Sequence, residues 1–249
     1  MGNGYRTALV TGATSGIGAA TVRRLASSGY AILAIARREE KLRTLSEQTG
    51  CRWVAADVRD LAVLEPEIER FAPDIVINNA GVGHGITGIE GLDPDLIRDA
   101  VEINVVAPIQ ITSLAIPRMR ERGRGHIVNI GSIAGLHTLV SSLYGGTKSA
   151  VHRFSQNLRV ELAGTGIRVT EICPGRVATE FYDAAEGDRE RLATMGRSGI
   201  TELQPDDIAA AISYAVDAPL HVNVSTIEIL PTEQAVGGLV AKPIATKTQ

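Results

Sequence analysis

A tyrosine and a lysine four positions apart are the residues of this chain whose pairing suggests proton chemistry. Tyr144 and Lys148 begin a segment, residues 144 to about 163, whose pattern predicts a helix, so both side chains would share one helix face. A tyrosine hydroxyl has an ordinary pKa of about 10, and a nearby ammonium lowers that pKa by favouring the phenolate. The pair therefore predicts a general acid and base, although a Tyr-x3-Lys spacing alone also occurs by chance on many helices.

Two further polar residues could complete such a site. Ser132 follows a predicted strand, residues 126–130, and its hydroxyl could hold and polarise a carbonyl oxygen. Asn104 interrupts the apolar side of a long helical pattern, residues 94–122. It could anchor a water that links Lys148 to solvent, or it could simply satisfy nearby backbone groups.

A glycine-rich turn near the N-terminus predicts a seat for a phosphate or pyrophosphate. Residues 10–18 read VTGATSGIG and lie between a short apolar run and a helical pattern, residues 19–28. A strand, turn and helix in this order present backbone N–H groups and the positive end of a helix dipole to an anion. Gly12 would permit the sharp turn, Gly16 the close approach to pyrophosphate, and Gly18 close packing of helix and strand. The spacing differs from the general dinucleotide fingerprint, so this signal alone is weak.

The residues that follow the next two predicted strands bear on which dinucleotide would bind. Arg37 and Arg38 follow residues 31–36, at the place where an acid would bind the ribose hydroxyl of NAD and an arginine the 2′-phosphate of NADP. They could also be surface charges at the start of a helix. Asp57 ends the third predicted strand, and it could cap the next helix, accept a hydrogen bond from adenine, or do both.

Apolar runs of strand length alternate with helical patterns along the chain, which predicts an α/β fold with a doubly wound parallel sheet and helices on both faces. The predicted strands are residues 8–10, 31–36, 52–56, 74–77, 126–130, 167–173 and 224–230. The predicted helices are residues 19–28, 39–48, 61–71, 94–122, 144–163 and 205–216. Pro108 and Pro117 predict a bend or break in the long fourth helix. Polar residues at about 176–200 predict a mobile lid without strands, the stretch between Ser132 and Leu143 a loop, and residues 238–249 a loosely held tail.

Composition limits the classes of function. The 249 residues are 44% hydrophobic and 21% charged with a net charge of −3, which is typical of a soluble enzyme and argues against a nucleic-acid surface. We expect no membrane-spanning segment, because nothing looks long and apolar enough, and no secretory signal, so the cytoplasm is the expected location. Cys51 and Cys173 fit no disulfide framework or zinc site, and no metal is expected.

Several short motifs occur in one order along nearly the whole chain. They are Thr11-Gly-x3-Gly-Ile-Gly18, Asp57-Val58, Asn78-Asn-Ala-Gly81, Asn104, Ser132, Tyr144-x3-Lys148 and Pro174-Gly175. Together they resemble the short-chain dehydrogenase/reductase family, which implies one Rossmann-type, NADP-binding oxidoreductase domain over residues 1–249. Ser132 precedes Tyr144 by one residue fewer than is usual in that family.

The resemblance implies roles for named residues. Tyr144 would be the acid and base, Lys148 would lower its pKa and bind the nicotinamide ribose, Ser132 would orient the substrate, and Asn104 would complete a proton relay. The cofactor would be NADP(H), and five groups of residues would contact it. The pyrophosphate would meet Gly12, Thr14, Ser15, Gly16, Ile17 and Gly18, and the 2′-phosphate would meet Arg37 and Arg38. The adenine would meet Asp57 and Val58, the adenosine side would meet Asn79, Ala80 and Gly81, and the nicotinamide end would meet Pro174, Gly175, Val177 and Thr179 with Tyr144 and Lys148. Members are usually homotetramers or homodimers through the helices that carry Asn104 and Tyr144.

The C-terminal part narrows the substrate. Residues 221–224, 227–231 and 232–234 resemble the end of NADP-dependent 3-hydroxy acid dehydrogenases that act on serine or allo-threonine, which implies a short 3-hydroxy acid such as serine or 3-hydroxypropanoate. Some antibiotic-pathway aldehyde reductases end similarly. The alternatives are therefore a reductase of a larger aldehyde or ketone, in a biosynthetic or sulfonate pathway, and a non-catalytic NADP-binding regulator.

Three loop residues bear on how a small-molecule acid would be held. A carboxylate needs a cation, preferably a forked one, and Arg176 could line the substrate pocket or lie on the lid surface. His84 and His137 follow predicted strands and could face the substrate, but we expect both to be exposed to solvent.

Overall fold

The computed structural model describes residues 4–139, 141–185, 189–196 and 199–235 of the chain. Within these ranges seven parallel strands form one sheet in the order β3-β2-β1-β4-β5-β6-β7. The strands are β1 (Thr7–Thr11), β2 (Ala31–Ala36), β3 (Arg52–Ala55), β4 (Ile75–Asn78), β5 (Gly125–Ile130), β6 (Ile167–Pro174) and β7 (Thr226–Ile229). The order reverses between β1 and β4, which places a ligand crevice at the carboxyl ends of these strands.

Helices cover both faces of the sheet, as the sequence predicts. They are α1 (Gly16–Ser27), α2 (Glu39–Thr49), α3 (Leu61–Phe71), α4 (Pro94–Val101), α5 (Ala107–Arg122), α6 (Ile133–Leu136), α7 (Ser142–Glu161), α8 (Arg189–Gly196) and α9 (Pro205–Asp217). One core cluster lies between the sheet and α1, α2 and α9, and a second lies between the sheet and α3, α5 and α7. The predicted α/β doubly wound fold is confirmed.

The long helical segment that follows β4 is interrupted by a π-helical turn at Glu102–Val106, which joins α4 to α5. Pro108 has no N–H to donate to the carbonyl of Asn104, and the N–H of Ala107 bonds instead to the oxygen of Glu102. The predicted break therefore exists just before Pro108, and it places Asn104 in the turn. Pro117 lies inside α5 without ending it.

One helical run is long and apolar enough to cross a membrane, so the expectation that no segment would meet this criterion is wrong. The helical run Pro94–Arg122 has 29 residues, and its most apolar window has a mean hydropathy of 1.4. A core helix of a soluble protein meets the same criterion. Here 44% of that window is buried inside the fold, where Ile111, Ala115 and Met119 pack against the sheet.

Three local structures differ from the sequence-based expectation. The predicted loop after Ser132 contains α6, because the Ser132 hydroxyl accepts a hydrogen bond from the N–H of Ala134 and caps that helix. Helix α7 begins at Ser142, before the predicted start at Tyr144. The lid region contains α8 and an isolated strand bridge between Val177 and Leu203. The predicted tail, residues 238–249, lies outside the described residues.

Candidate active site

A cavity of about 680 Å³ opens at the carboxyl ends of the strands. It contains almost all of the predicted site residues, namely Gly12, Thr14, Ser15, Gly16, Ile17, Arg37, Arg38, Asp57, Val58, Asn79, Ala80, Gly81, Ser132, Tyr144, Lys148, Pro174, Gly175, Arg176, Val177 and Thr179. Gly18 and Asn104 lie behind its wall. A side chain at Gly18 would overlap the carbonyl of Gly12, which explains why a glycine is needed there.

Tyr144 and Ser132 meet at one wall of this cleft. Ser132 lies close enough to the Tyr144 hydroxyl to act on its pKa, and each residue is only 8% exposed. Burial raises the pKa of Tyr144 above its ordinary value, and the Ser132 side chain opposes this in part. The expected lowering of this pKa by Lys148 is not what the free protein shows, because loss of solvent is the larger effect.

Lys148 lies one helical turn beyond Tyr144 and is 6% exposed. Its ammonium donates a hydrogen bond to the carbonyl of Ile130 over 2.8 Å and lies 5.9 Å from the centre of the Tyr144 ring. Burial lowers the pKa of Lys148 to about 8. Neutral pH therefore lies close to the range in which this lysine titrates.

The amide of Asn104 joins the loop after β4 to α7. Its oxygen accepts from the N–H of Val82 over 2.8 Å, and its nitrogen donates to the carbonyl of Val82 and to the Thr147 hydroxyl, over 2.9 and 3.1 Å. The alternative in which Asn104 satisfies nearby backbone groups is therefore correct. Its part in a proton relay stays a prediction.

The other end of the cleft carries the two arginines. Arg38 donates to the hydroxyls of Thr14 and Ser15 at distances of 2.7–3.2 Å, and it forms a 3.1 Å ion pair with Glu180. The side chain of Arg37 is 70% exposed and lies 4.0 Å from the carboxylate of Asp57. This end presents cations and hydroxyls together, a donor set suited to a phosphate group.

Asp57 does not cap α3. Its carboxylate accepts from the backbone N–H and the guanidinium of Arg59, over 3.0 and 2.9 Å, which closes a local turn and lowers the pKa of Asp57. The cap is Asp60, whose carboxylate accepts from the N–H of Val63. The alternative in which Asp57 caps this helix is therefore wrong, because Asp60 directly precedes the helix. The contact between Asp57 and adenine stays a prediction, and Asp57 does line the cleft.

Thr11 is a structural residue whose role the motif did not reveal. Its hydroxyl accepts from the N–H groups of Asn79 and Ala80, over 3.0 Å each, and so ties the end of β4 to β1. The Asn79 amide in turn donates to the carbonyls of Thr11 and Gly12. This network of hydrogen bonds holds the glycine turn in place. A short polar side chain at the end of a strand was the available signal.

Arg176 faces the cleft, but its charge is already balanced. Its guanidinium donates to Glu202 over 3.0 Å and lies 4.9 Å from the centre of the Tyr182 ring. Its backbone N–H bonds to the side-chain oxygen of Gln234. Any anion bound at this position would share Arg176 with Glu202.

The two loop histidines lie in different surroundings. His84 lines the cleft and is buried, contrary to the expectation of solvent exposure, because the loop after β4 folds beneath the Phe181 ring. His137 lies outside the cleft lining and bonds to Glu228 over 2.7 Å. The first part of the predicted lid, including Phe181 with its ring centre 5.3 Å from that of Tyr144, covers the site.

Sequence comparison agrees with this geometry. The family model for the short-chain dehydrogenases matches residues 6–190. The chain belongs to that family.

Its curated relatives and solved neighbours cover nearly the whole chain. An NADP-dependent 3-hydroxy acid dehydrogenase of Salmonella typhi is 37% identical, over 93% of this chain and 97% of that protein. A sulfoacetaldehyde reductase of Chromohalobacter salexigens is 35% identical, over 91% of this chain and 94% of that protein. The closed form of a serine dehydrogenase complexed with NADP⁺ superposes with a TM-score of 0.87 at 34% identity, over 95% of this chain and 99% of the other.

Proposed function

We propose that this protein is an NADP(H)-dependent oxidoreductase that moves a hydride between the nicotinamide and a short 3-hydroxy acid such as serine or 3-hydroxypropanoate. The observation that carries the proposal is the meeting of Tyr144, Ser132 and Lys148 at one end of a cleft whose other end holds Arg37 and Arg38. A proton donor at one end and paired cations at the other suit a phosphorylated dinucleotide lying between them.

The residues present fit such a cofactor. Gly16 has a φ of 48°, which favours glycine, and it turns the backbone so that the N-terminus of α1 opens into the cleft. Arg37 and Arg38 would hold the 2′-phosphate, beside the Thr14 and Ser15 hydroxyls that Arg38 contacts, while Asp57 and Val58 would border the adenine. When bound, the nicotinamide supplies or receives the hydride.

The chain's own groups would handle the proton and the substrate. Ser132 would donate a hydrogen bond to the substrate oxygen, and Tyr144 would give a proton to that oxygen in reduction or take it in oxidation. Burial keeps Tyr144 protonated at neutral pH, the form that carbonyl reduction needs. Lys148 would place a positive charge beside the phenol and the ribose, which stabilises the phenolate once it forms.

A short 3-hydroxy acid adds a carboxylate, and Arg176 is the residue we assign to it. Its planar guanidinium can bind a carboxylate through two parallel hydrogen bonds, and it lies in the cleft lining. The names of the Salmonella typhi relative and of the serine dehydrogenase neighbour support the same substrate class.

A substrate panel tests the proposal. We expect the purified protein to form NADPH from NADP⁺ with serine or 3-hydroxypropanoate, and to do so far more slowly with NAD⁺. Arg176→Gln should raise KM for these acids by at least about tenfold and leave KM for an uncharged secondary alcohol unchanged. Arg43→Gln, a change in an exposed arginine outside the cleft, is the matched control. Turnover of none of these acids would refute the proposed substrate class.

A second candidate is the reduction of a larger aldehyde or ketone, or of a sulfonated aldehyde. The substrate end of the cleft has apolar walls from Ile86, Leu139 and Phe181, and one relative is a sulfoacetaldehyde reductase. NADPH oxidation with sulfoacetaldehyde or bulky ketones, at rates above those for the oxidised 3-hydroxy acids, would favour this candidate.

We also propose a homotetramer or homodimer in the cytoplasm. Val101, Val106 and Ile109 lie on the helical run that carries Asn104 and expose large apolar side chains. Exposed apolar side chains along one helix are typical of a subunit interface. Light scattering of the parent and of Val106→Glu would report the assembly and its dependence on this surface.

A further inference from the structure

Glu171 is a fully buried carboxylate behind the proposed acid–base pair. It lies on β6 opposite Asn129 of β5 and is 0% exposed. One oxygen accepts a hydrogen bond from the Nδ1 of His152 over 2.6 Å, and the other has no hydrogen-bond partner among the described residues. A buried carboxylate is costly unless it is paired, so a position of this kind needs an explanation.

His152 is held at both ring nitrogens. Its Nδ1 lies 2.6 Å from one Glu171 oxygen, and its Nε2 lies 2.9 Å from the side-chain nitrogen of Gln156. The imidazole therefore fixes the orientation of the carboxylate.

The Glu171–His152 pair lies next to the catalytic face of α7. Tyr144, Lys148 and His152 follow one another at intervals of four residues, so each side chain lies one helical turn from the one before it. Burial lowers the pKa of Lys148, and Cys173 and Glu171 oppose this effect, Cys173 more than Glu171.

Glu171 also packs against the backbone that supports both Lys148 and Ser132. A side chain at Gly131 would overlap the unpaired oxygen of Glu171, so the carboxylate touches this glycine directly. Gly131 joins Ile130, whose carbonyl accepts from the Lys148 ammonium, to Ser132. The position of the carboxylate and the position of the site are therefore linked through one peptide segment.

We propose that Glu171, held by His152, is a positioning residue that supplies the buried counter-charge of the Lys148 ammonium and fixes the Gly131 turn. The inference rests on the proposed role of Lys148 in proton transfer. Lys148 itself forms no ion pair within the part of the chain that the structure describes, and its direct partner is the neutral carbonyl of Ile130.

The other titratable groups around Lys148 do not supply this charge. Tyr144 on α7, Cys173 on β6 and Tyr182 in the lid all have raised pKa values because of burial, so they are neutral at pH 8. Burial lowers the pKa of Arg159 on α7, and the nearby Glu171 opposes this effect. Among these groups Glu171 is therefore the one that we assign as the counter-charge.

The ionisation of Lys148 in the ligand-free protein tests the proposal directly. We would follow the ¹³Cε signals of labelled lysines by NMR from pH 6 to 11, with Lys148 assigned through Lys148→Arg. In Glu171→Gln the midpoint of Lys148 should fall below about 8 by about one pH unit. The alkaline limb of carbonyl reduction should move in the same direction by the same amount. Glu171→Asp should restore the parent midpoint in large part.

A second pair of variants keeps the test valid if Glu171→Gln does not fold. His152 is partly exposed, so its replacement disturbs the core less. His152→Leu removes the hydrogen bond that holds Glu171 in place and should lower the Lys148 midpoint. His152→Gln keeps a donor and should leave that midpoint unchanged.

Glu228→Gln is the matched control. It removes another carboxylate bonded to a histidine, His137, over 2.7 Å, but this pair is partly exposed and lies outside the cleft lining. Its Lys148 midpoint should equal that of the parent. An unchanged midpoint in both Glu171→Gln and His152→Leu would overturn the proposal and leave Glu171 a purely structural group. Because the titration needs no turnover, failure of the proposed function would be recognised separately.

Discussion

The two ends of the cleft are built in opposite ways. At the catalytic end Tyr144 and Lys148 are 8% and 6% exposed. At the nucleotide end the side chains of Arg37 and Arg38 are 70% and 44% exposed, and carboxylates stand beside them. Loss of solvent therefore sets the protonation of the first pair, whereas solvent screens the charges of the second.

This difference predicts which substitutions matter and how. A buried ionisable group changes its pKa and the stability of the fold, and its removal is felt in both properties. An exposed arginine in an ion pair adds little to stability, so its removal should be felt only when a charged ligand binds.

The largest effect should follow from Tyr144→Phe. Loss of the proposed proton donor should lower kcat by about a thousandfold, while the dissociation constant of NADPH stays within about threefold of the parent. Stopped-flow measurement of NADPH oxidation and a fluorescence titration would measure the two quantities.

Tyr182→Phe is the control for this change, since Tyr182 is a second, partly buried tyrosine that lines the same cleft. It should retain kcat within about tenfold. Equal losses in the two variants would show that the Tyr144 hydroxyl is not the specific donor.

Lys148→Met should inactivate the protein and yet stabilise its fold. The fall of the Lys148 pKa from 10.5 to about 8 corresponds to a cost of about 3 kcal/mol for keeping the ammonium buried. Loss of the hydrogen bond to Ile130 offsets about 1 kcal/mol of the gain. Urea unfolding should therefore show a net gain of about 2 kcal/mol at pH 7.

The gain from Lys148→Met should depend on pH with a definite sign. Because the folded pKa is lowered, the cost in the parent is fully present below about pH 8 and disappears as the pH rises toward 10.5. The difference between variant and parent should thus shrink between pH 8 and pH 10. A variant that is less stable at both pH values would contradict the role of desolvation at this end.

Arg38→Ala should act through the cofactor alone. Loss of a charge-assisted contact with the 2′-phosphate should weaken NADPH binding by about 10- to 100-fold and leave NADH binding unchanged. Arg37→Ala should have a smaller effect of about threefold, because that side chain is more exposed. Thermal unfolding of both variants should match the parent. Equal losses for NADPH and NADH would mean that Arg38 supports the glycine turn rather than the phosphate.

The sequence could predict the fold and the place of the site because both depend on local patterns. Seven short apolar runs define the strands, and the polar residues that follow those runs meet at one edge of a parallel sheet by geometry alone. The resemblance then assigned positions to Ser132, Tyr144 and Lys148, and these do meet.

Other features depend on contacts that no local pattern encodes. Glu171 and His152 are 19 residues apart on different elements, and their pairing follows only from how α7 packs on β6. The raised pKa of Tyr144 likewise reflects the burial of the whole cleft wall, whereas the spacing to Lys148 predicted the opposite direction.

The smallest predicted effect separates fold from binding at the nucleotide end. Asp60→Ala removes the cap of α3 and should lower the free energy of unfolding by about 1 kcal/mol, with no change in NADPH affinity. Asp57→Ala should weaken NADPH binding and leave the free energy of unfolding unchanged. Asp57 lines the cleft and bonds only to Arg59 and Arg37 among the described side chains. Urea unfolding and NADPH titration of both variants measure this. If Asp60→Ala weakens NADPH binding as strongly as Asp57→Ala, the start of α3 holds the open end of the cleft in place. NADPH binding at that end would then depend on the fold more than the exposure of its side chains suggests.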